Sequence, residues 1–448
     1  MKTLLELSDD LKLNRTSARD LLEQCFDKIA DPAGEGLRAF LSVDHNKARA
    51  QADAMDTLRK SGSEPTPYAG IPISVKDLYD VKGEITGAGS KILSSNAPAG
   101  QDAPTIARLR QAGFVFIGRN NMVEFAYAGI GMNYHFGTPK IPYDRENGRI
   151  PGGSTSGGAV AVADGMAMAT LGSDTGGSCR IPAAFCGIVG YKPTAARVPT
   201  AGLTPLSFSL DSAGPLANSV DCCAILDAIM AGEEVYNSLP VDAKHIRLAI
   251  PETMVMDGLD EDVAAAFDRA VAVLTNAGVE IVRILFSELA EIQHINRLGG
   301  FAASESYAWH KDFLANRMDE YDPRVGSRII KGADQSAADY IELSQERQRV
   351  IEMAEKTTSP FDAVIMPTVA IIPPTIEYVE NDVNYFPTNM MTLRNTSVGN
   401  FLDRCSISLP CHKQGEAPVG FMLTGRHGDD RHLFRVSKTV EQLLKSIR

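Results

Sequence analysis

The sequence predicts an α/β protein built on one large mixed, mostly parallel β-sheet covered by helices on both faces. Three observations predict it. Short apolar, β-rich runs recur along the chain, and stretches with apolar residues at helical spacing lie between them. At 448 residues with 44% hydrophobic and 22% charged positions, the chain has enough apolar material for a core of that size.

The elements follow in order. Thr16 or Ser17 offers a helix cap ahead of Ala-Arg-Asp-Leu-Leu-Glu-Gln-Cys-Phe, so a first helix runs to about residue 30. Strand-like runs occupy 39–43, 71–75, 114–118, 166–171, 188–191, 246–250, 279–284, 363–366, 406–409 and 419–423. Helical patterns fill 157–164, 260–277 and 337–355. The region from about 60 to 220 is rich in Gly, Ser and Pro but interleaved with strand and helix signals, which reads as ordered loops on a scaffold. There is no internal repeat and no low-complexity linker. The expected organisation is a single domain over 1–448. Its core motifs lie at 65–220, a helical covering at about 253–355, and a part that completes the sheet at 360–448.

A formal net charge of −12 and a pI near 5.2 repel phosphate backbones, and no basic run offsets them. Nucleic acid is therefore not an expected partner. The N-terminus lacks the basic-then-apolar build of a signal peptide, and no run of eighteen uncharged apolar residues exists, so a cytoplasmic protein without a membrane contact is expected. Seven cysteines, at 25, 179, 186, 222, 223, 405 and 411, form no Cys-x-x-Cys pair and read as reduced, buried thiols. His-Glu-x-x-His is absent and the eight histidines are scattered; neither a metal site nor a cofactor is expected.

The most unusual segment is Pro151-Gly-Gly-Ser154-Thr155-Ser-Gly-Gly-Ala159, followed by Gly172-Ser-Asp174-Thr175-Gly176-Gly177-Ser178-Cys179-Arg180-Ile-Pro182. Two Gly-Gly-Ser elements thus sit 24 residues apart. Glycine pairs let the backbone turn its N–H groups inward, and such a nest stabilises an anion. A serine closing each nest places a hydroxyl where an oxyanion would be held. Either triplet alone also reads as a plain turn. A phosphate cradle fails for want of Gly-Lys-Ser/Thr, and an esterase elbow fails because neither serine lies in Gly-x-Ser-x-Gly. With no histidine in either motif, a serine nucleophile needs another base. A desolvated lysine can serve. Lys76 is the candidate, delivered at the C-terminal end of the apolar run Ile71-Pro-Ile-Ser-Val75, the sheet edge where α/β enzymes place active groups; an exposed strand terminus is the alternative.

Together these pieces resemble the amidase-signature family. The resemblance runs from Gly70-Ile-Pro-Ile-Ser-Val-Lys-Asp77 through Gly187-Ile-Val-Gly-Tyr-Lys-Pro-Thr194, and resumes in Phe361-Asp-Ala-Val-Ile-Met-Pro-Thr368 and Ala417-Pro-Val-Gly-Phe-Met-Leu-Thr-Gly-Arg426. It implies hydrolysis of a small-molecule amide with Ser178 as nucleophile, Ser154 as the bridging serine after a cis peptide bond, and Lys76 as base. It further implies that the N–H groups of Thr175, Gly176, Gly177 and Ser178 form the oxyanion hole. Asp174 and Arg180, flanking Ser178, are expected to pair and steady the loop. Thr155 stands where the family mostly has Ser or Gly, and Cys179 where an aliphatic residue is usual; neither departure removes a catalytic group.

The substrate is not legible. By analogy with where the family binds substrate, the pocket would involve the segment Gly129-Ile-Gly-Met132-Asn133, Tyr143, and the stretch 400–404, in which Arg404 could hold a carboxylate or simply pair with Asp403. Two other readings stand beside a free-standing amidase: the glutaminase component of a transfer-RNA amidotransferase, which needs partner subunits, and a silent ligand-binding scaffold on the same fold. A homodimer is one assembly open to the chain.

Overall fold

The computed structural model describes residues 1–236 and 239–447. Eleven strands form one sheet: β1 (Phe40–Val43), β2 (Pro72–Lys76), β3 (Val115–Asn120), β4 (Ala169–Asp174), β5 (Val189–Lys192), β6 (Ser212–Ala217), β7 (Arg247–Pro251), β8 (Glu280–Ile284), β9 (Ala363–Pro367), β10 (Ser406–Pro410) and β11 (Gly420–Thr424). Their order is β1-β3-β2-β4-β6-β5-β10-β11-β9-β7-β8. Helices flank the sheet, as expected.

The expectation that the sheet is mostly parallel is corrected. Only β2 with β3 and β4, and β7 with β8 and β9, run parallel. The other six pairings are antiparallel. The reason lies in the connections. β10 returns to β11 through a short link with no crossover helix, and β5 joins β6 through a loop, so both pairs must turn back on themselves. Where a helix does intervene, between β4 and β5, the two strands are not neighbours, because β6 lies between them.

Side chains alternate between two cores. On β2, Ile73 and Val75 enter the larger core with Ile106 and Leu109 of helix Pro104–Gln111, Ile225 of helix Val220–Ala231 and Phe434 of helix Asp430–Leu444. On the other face Val115 and Ile117 of β3 meet Ala159 and Val160 of helix Ser156–Ala163. That helix is buried nearly all round and follows Ser154 directly, so it anchors the first Gly-Gly-Ser loop to the sheet. Between β8 and β9 the chain is helical, with helices Glu288–Ile295, Gly300–Arg317, Pro323–Ile329 and Ala337–Thr358.

Candidate active site

β2 and β4 are parallel neighbours, so their C-terminal ends emerge side by side and bring Lys76 next to the loop that follows Asp174. Lys76 is fully buried. Its Nζ lies 2.8 Å from Ser154 Oγ and 2.8 Å from Ser173 Oγ. With no carboxylate in direct contact, burial is the largest influence on it and pulls its pKa down from 10.5 to about 8, so a usable fraction is neutral near pH 7.

The peptide bond between Gly153 and Ser154 is cis. Gly153 N–H donates to Gly129 O at 2.7 Å and the Ser154 carbonyl accepts from Val123 N–H at 3.1 Å, which fixes the loop from both sides. Thr155 N–H donates to the Ser178 carbonyl at 3.3 Å, tying the first loop to the second.

The second loop is organised by Asp174. Its carboxylate accepts the N–H groups of Gly177 (2.8 Å) and Cys179 (3.0 Å), the forked guanidinium of Arg180 (2.9 and 3.0 Å), and Asn400 Nδ2 (2.9 Å). Asp174 and Arg180 are both fully buried, and the expected pairing is present. Burial alone would raise the Asp174 pKa, but the charge and hydrogen bonds of Arg180 outweigh it and hold the carboxyl well below its usual range. Gly177 is required as glycine: its φ is 136°, and a Cβ there would come within 2.2 Å of Thr396 Oγ1.

One expected oxyanion donor is corrected by this network. Gly177 N–H is directed at Asp174 and is not open to a substrate. Among the described residues no protein acceptor engages the N–H groups of Thr175, Gly176 or Ser178. Thr396 Oγ1 donates to Gly176 O at 2.6 Å, and so sets the orientation of the peptide that follows. Cys179, beside the nucleophile candidate, is buried with its Sγ 3.5 Å from Gly214 O, and burial pushes its thiol pKa far up. A thiol so placed is expected to be inert.

Ser178 opens into a cavity of about 170 Å³ lined by aliphatic and aromatic side chains, among them Leu206, Leu210, Ile292, Phe301 and Leu393, and by Arg328. Among the described residues Arg328 is the single charged one in that lining. It donates to Tyr127 O and stacks over the Tyr127 ring at 4.4 Å, and no carboxylate pairs with it among the described residues.

Met132, Asn133, Tyr143 and Arg404, expected at the pocket, lie outside the lining of this cavity. Arg404 is buried against Glu355, with Nη2 3.1 Å from its carboxylate, and Asp403 accepts Ala195 N–H instead. Asn133 spends its amide on Gly89 O and Met122 O and its carbonyl on two backbone N–H groups. Met132 and Tyr143 pack against separate apolar clusters. From the stretch 400–404, Asn400 and Phe401 reach the cavity. Sequence reading missed Ser173 and Arg328 as site residues, and it did not foresee that Asn400 binds the Asp174 carboxylate. Ser173 had a signal, since it directly precedes Asp174 at the end of a strand neighbouring β2; Arg328 had none, being one of many arginines in a helical stretch.

A buried lysine, two glycine-flanked serines and a cavity-lining loop with N–H groups left without a protein acceptor among the described residues, all on a mixed α/β sheet, have the layout of an amide hydrolase. The chain belongs to the amidase family, whose model matches residues 20–434. It is 34% identical over 446 residues to 2-amino-5-chloromuconic acid deaminase of Comamonas testosteroni, covering 99% of this chain and 96% of that one. It is 32% identical to one component of the glutamyl-tRNA(Gln) amidotransferase of Geobacillus kaustophilus (strain HTA426), covering 98% of this chain and 96% of that one. A crystal structure of an amidase superposes with a TM-score of 0.89 at 29% identity, covering 98% of this chain and 99% of that one. The chain is thus a hydrolase of carbon–nitrogen bonds other than peptide bonds.

Proposed function

We propose that the chain hydrolyses the carboxamide of a small substrate whose acyl part carries a carboxylate, releasing ammonia through an acyl-Ser178 intermediate. The observation that carries the substrate class is Arg328: one guanidinium, unpaired with any acid among the described residues, in an otherwise uncharged cavity that holds Ser178. A cavity of about 170 Å³ favours a compact substrate. The name of the Comamonas relative's substrate is that of an acid, which agrees with this reading.

In the reaction, neutral Lys76 draws the Ser154 proton while Ser154 takes that of Ser178, whose Oγ attacks the amide carbon. The N–H groups of Thr175, Gly176 and Ser178 receive the negative oxygen. The proton returns through Ser154 to the departing nitrogen, and water then cleaves the acyl-serine by the same relay. Lys76, Ser154 and Ser178 are the catalytic residues of this scheme, and Asp174 with Arg180 holds the loop. A metal ion has no task in it. A cytoplasmic setting fits seven buried, unpaired cysteines.

The test is ammonia release by the purified chain alone from a mono-amide of a four-carbon dicarboxylic acid and from the methyl ester of that mono-amide. The expected kcat/KM is about ten- to a hundredfold higher for the free acid, from one charge-assisted contact, and Arg328→Gln removes the preference. Equal turnover of acid and ester overturns the carboxylate reading. A second reading, the glutaminase component of an amidotransferase, is favoured by the 32% identical relative. It predicts that the chain alone is idle on free glutamine and gains activity with partner subunits. A silent scaffold predicts no turnover under any condition.

A further inference from the structure

The loop before β6 carries a carboxylate that the reaction scheme does not use. Asp211 is partly buried, and among the described residues it forms no ion pair. Its Oδ1 accepts the hydroxyl of Thr175 at 2.5 Å, and its Oδ2 accepts the N–H groups of Leu206 (2.9 Å) and Ser207 (3.1 Å). Thr175 opens the loop that ends in Ser178, and Leu206 and Leu210 line the cavity in front of it. One carboxylate thus holds both the floor and a wall of the site. The wall is gripped from outside by a second acid: Glu305 of helix Gly300–Arg317 accepts Ser207 Oγ (2.6 Å), Ser209 N–H (2.9 Å) and Ser209 Oγ (2.5 Å).

We propose that Asp211 is a positioning residue for the reaction: through Thr175 it aligns the oxyanion donors, and through Leu206 and Ser207 it couples that alignment to the cavity wall. The proposal rests on the reading of Ser178 and Lys76 given above. Asp174 clamps the far end of the same loop through Gly177 and Cys179, so the intervening N–H groups are held from two sides by two acids. The two acids differ in kind. Asp174 has Arg180 against it; Asp211 has only neutral donors, so its charge is costly to keep and easily neutralised.

The three donors to Asp211 require the ionised form. A proton on Oδ1 displaces the Thr175 hydroxyl as donor, and a proton on Oδ2 meets the N–H groups of Leu206 and Ser207. Burial is the largest influence on Asp211 and raises its pKa from 3.8 to about 6, against the lowering effect of Thr175, Leu206 and Ser207 and with a smaller contribution from Glu305. The charged and titratable groups around it are Glu305, Tyr340 and Arg347 of the covering helices, Asp174 at the end of β4, and Lys76 of β2, whose own pKa Asp211 raises slightly.

The experiment is log(kcat/KM) against pH from 5 to 9 for wild type, Asp211→Asn, Thr175→Val and Thr175→Ser, with folding checked by circular dichroism at each pH. In wild type the slope is one below about pH 8, where Lys76 protonates, and steepens to two below about pH 6. Asp211→Asn lowers kcat by about tenfold or more at pH 8, keeps the limb near 8 and loses the steepening. Thr175→Val also loses it, and Thr175→Ser restores it. A folded-state carboxyl pKa above its unfolded value favours the native state as pH falls through 6 and opposes it above. Asp211→Asn at pH 7.5 therefore melts at or above the wild-type Tm, whereas loss of a purely structural residue would lower it. A single slope in wild type, or a bend that survives Asp211→Asn, overturns the proposal; if that variant does not fold, the Thr175 pair decides. Loss of the limb near pH 8 would instead count against Lys76.

Discussion

Ser173 Oγ lies 2.8 Å from Lys76 Nζ, the same separation as Ser154 Oγ. A neutral amine has two donors and one lone pair, so one hydroxyl must accept if the other is to yield its proton. Ser173, which also lies within reach through its carbonyl at 3.5 Å, is the fixed acceptor that turns the lone pair toward Ser154. Ser173→Ala is expected to lower kcat by about tenfold or more. Because a hydroxyl acceptor favours the ammonium form, its loss also moves the acidic limb to lower pH. A pH–rate profile checks both.

The lysine is held at a cost to the fold. Its folded pKa, about 8, is below the unfolded value, so its contribution to stability falls as pH drops from about 10.5 to 8 and stays low beneath that. Lys76→Met, similar in volume and uncharged, is expected to be inactive yet more stable at pH 7 by up to about 3 kcal/mol, with the gain vanishing above pH 10. Urea unfolding at pH 7 and 10.5 measures it.

Much of this was legible beforehand. Each of the ten strand-like runs overlaps a strand of the sheet, because each is a short apolar run bounded by turn residues. The strand that was not anticipated, β6, reads Ser-Ala-Gly-Pro-Leu-Ala, with a glycine and a proline where β-branched residues would signal a strand. It lies between β4 and β5, where Gly214 admits no side chain: a Cβ would come within 2.1 Å of Tyr191 O. The direction of the strands was misjudged for the same reason, since β6 separates two strands that a crossover helix would otherwise make neighbours. At the site, Ser154 and Ser178 carry local glycine patterns, and Lys76 ends an apolar strand run. Arg328 and Asp211 carry no local signal, and Asn400 was expected at the pocket only by analogy; all three reach the site by folding, from helices and loops remote in sequence.

Asp174 acts on stability in the opposite sense to Lys76. Its pKa is held below the unfolded value, so its contribution is present at neutral pH and is lost as pH falls through the carboxylate range. Asp174→Asn leaves the Arg180 guanidinium buried without its counter-charge and, since Asn keeps one oxygen, takes the acceptor from one of the two backbone N–H groups. The expected loss is about 3–5 kcal/mol, with activity reduced even where the variant stays folded. Chemical denaturation at pH 7 is the check.

Cys179 next to Ser178 is expected to play no covalent part. The buried, high-pKa thiol should resist iodoacetamide in the native protein, and Cys179→Ser should keep its rate within about tenfold. Intact mass after alkylation, with and without denaturant, separates an inert thiol from a reactive one.

The central claim is that Ser178 is a nucleophile activated by a buried lysine with no histidine involved. It is tested most directly by the labelling rate with a fluorophosphonate across pH 6–10, the modified residue being located by peptide mass spectrometry, in wild type and Lys76→Met. The account predicts a single adduct on Ser178 forming at a rate that rises with pH through about 8 in wild type, and no comparable labelling in Lys76→Met. An adduct on any other residue, or equal labelling of Ser178 in the two proteins, would contradict it.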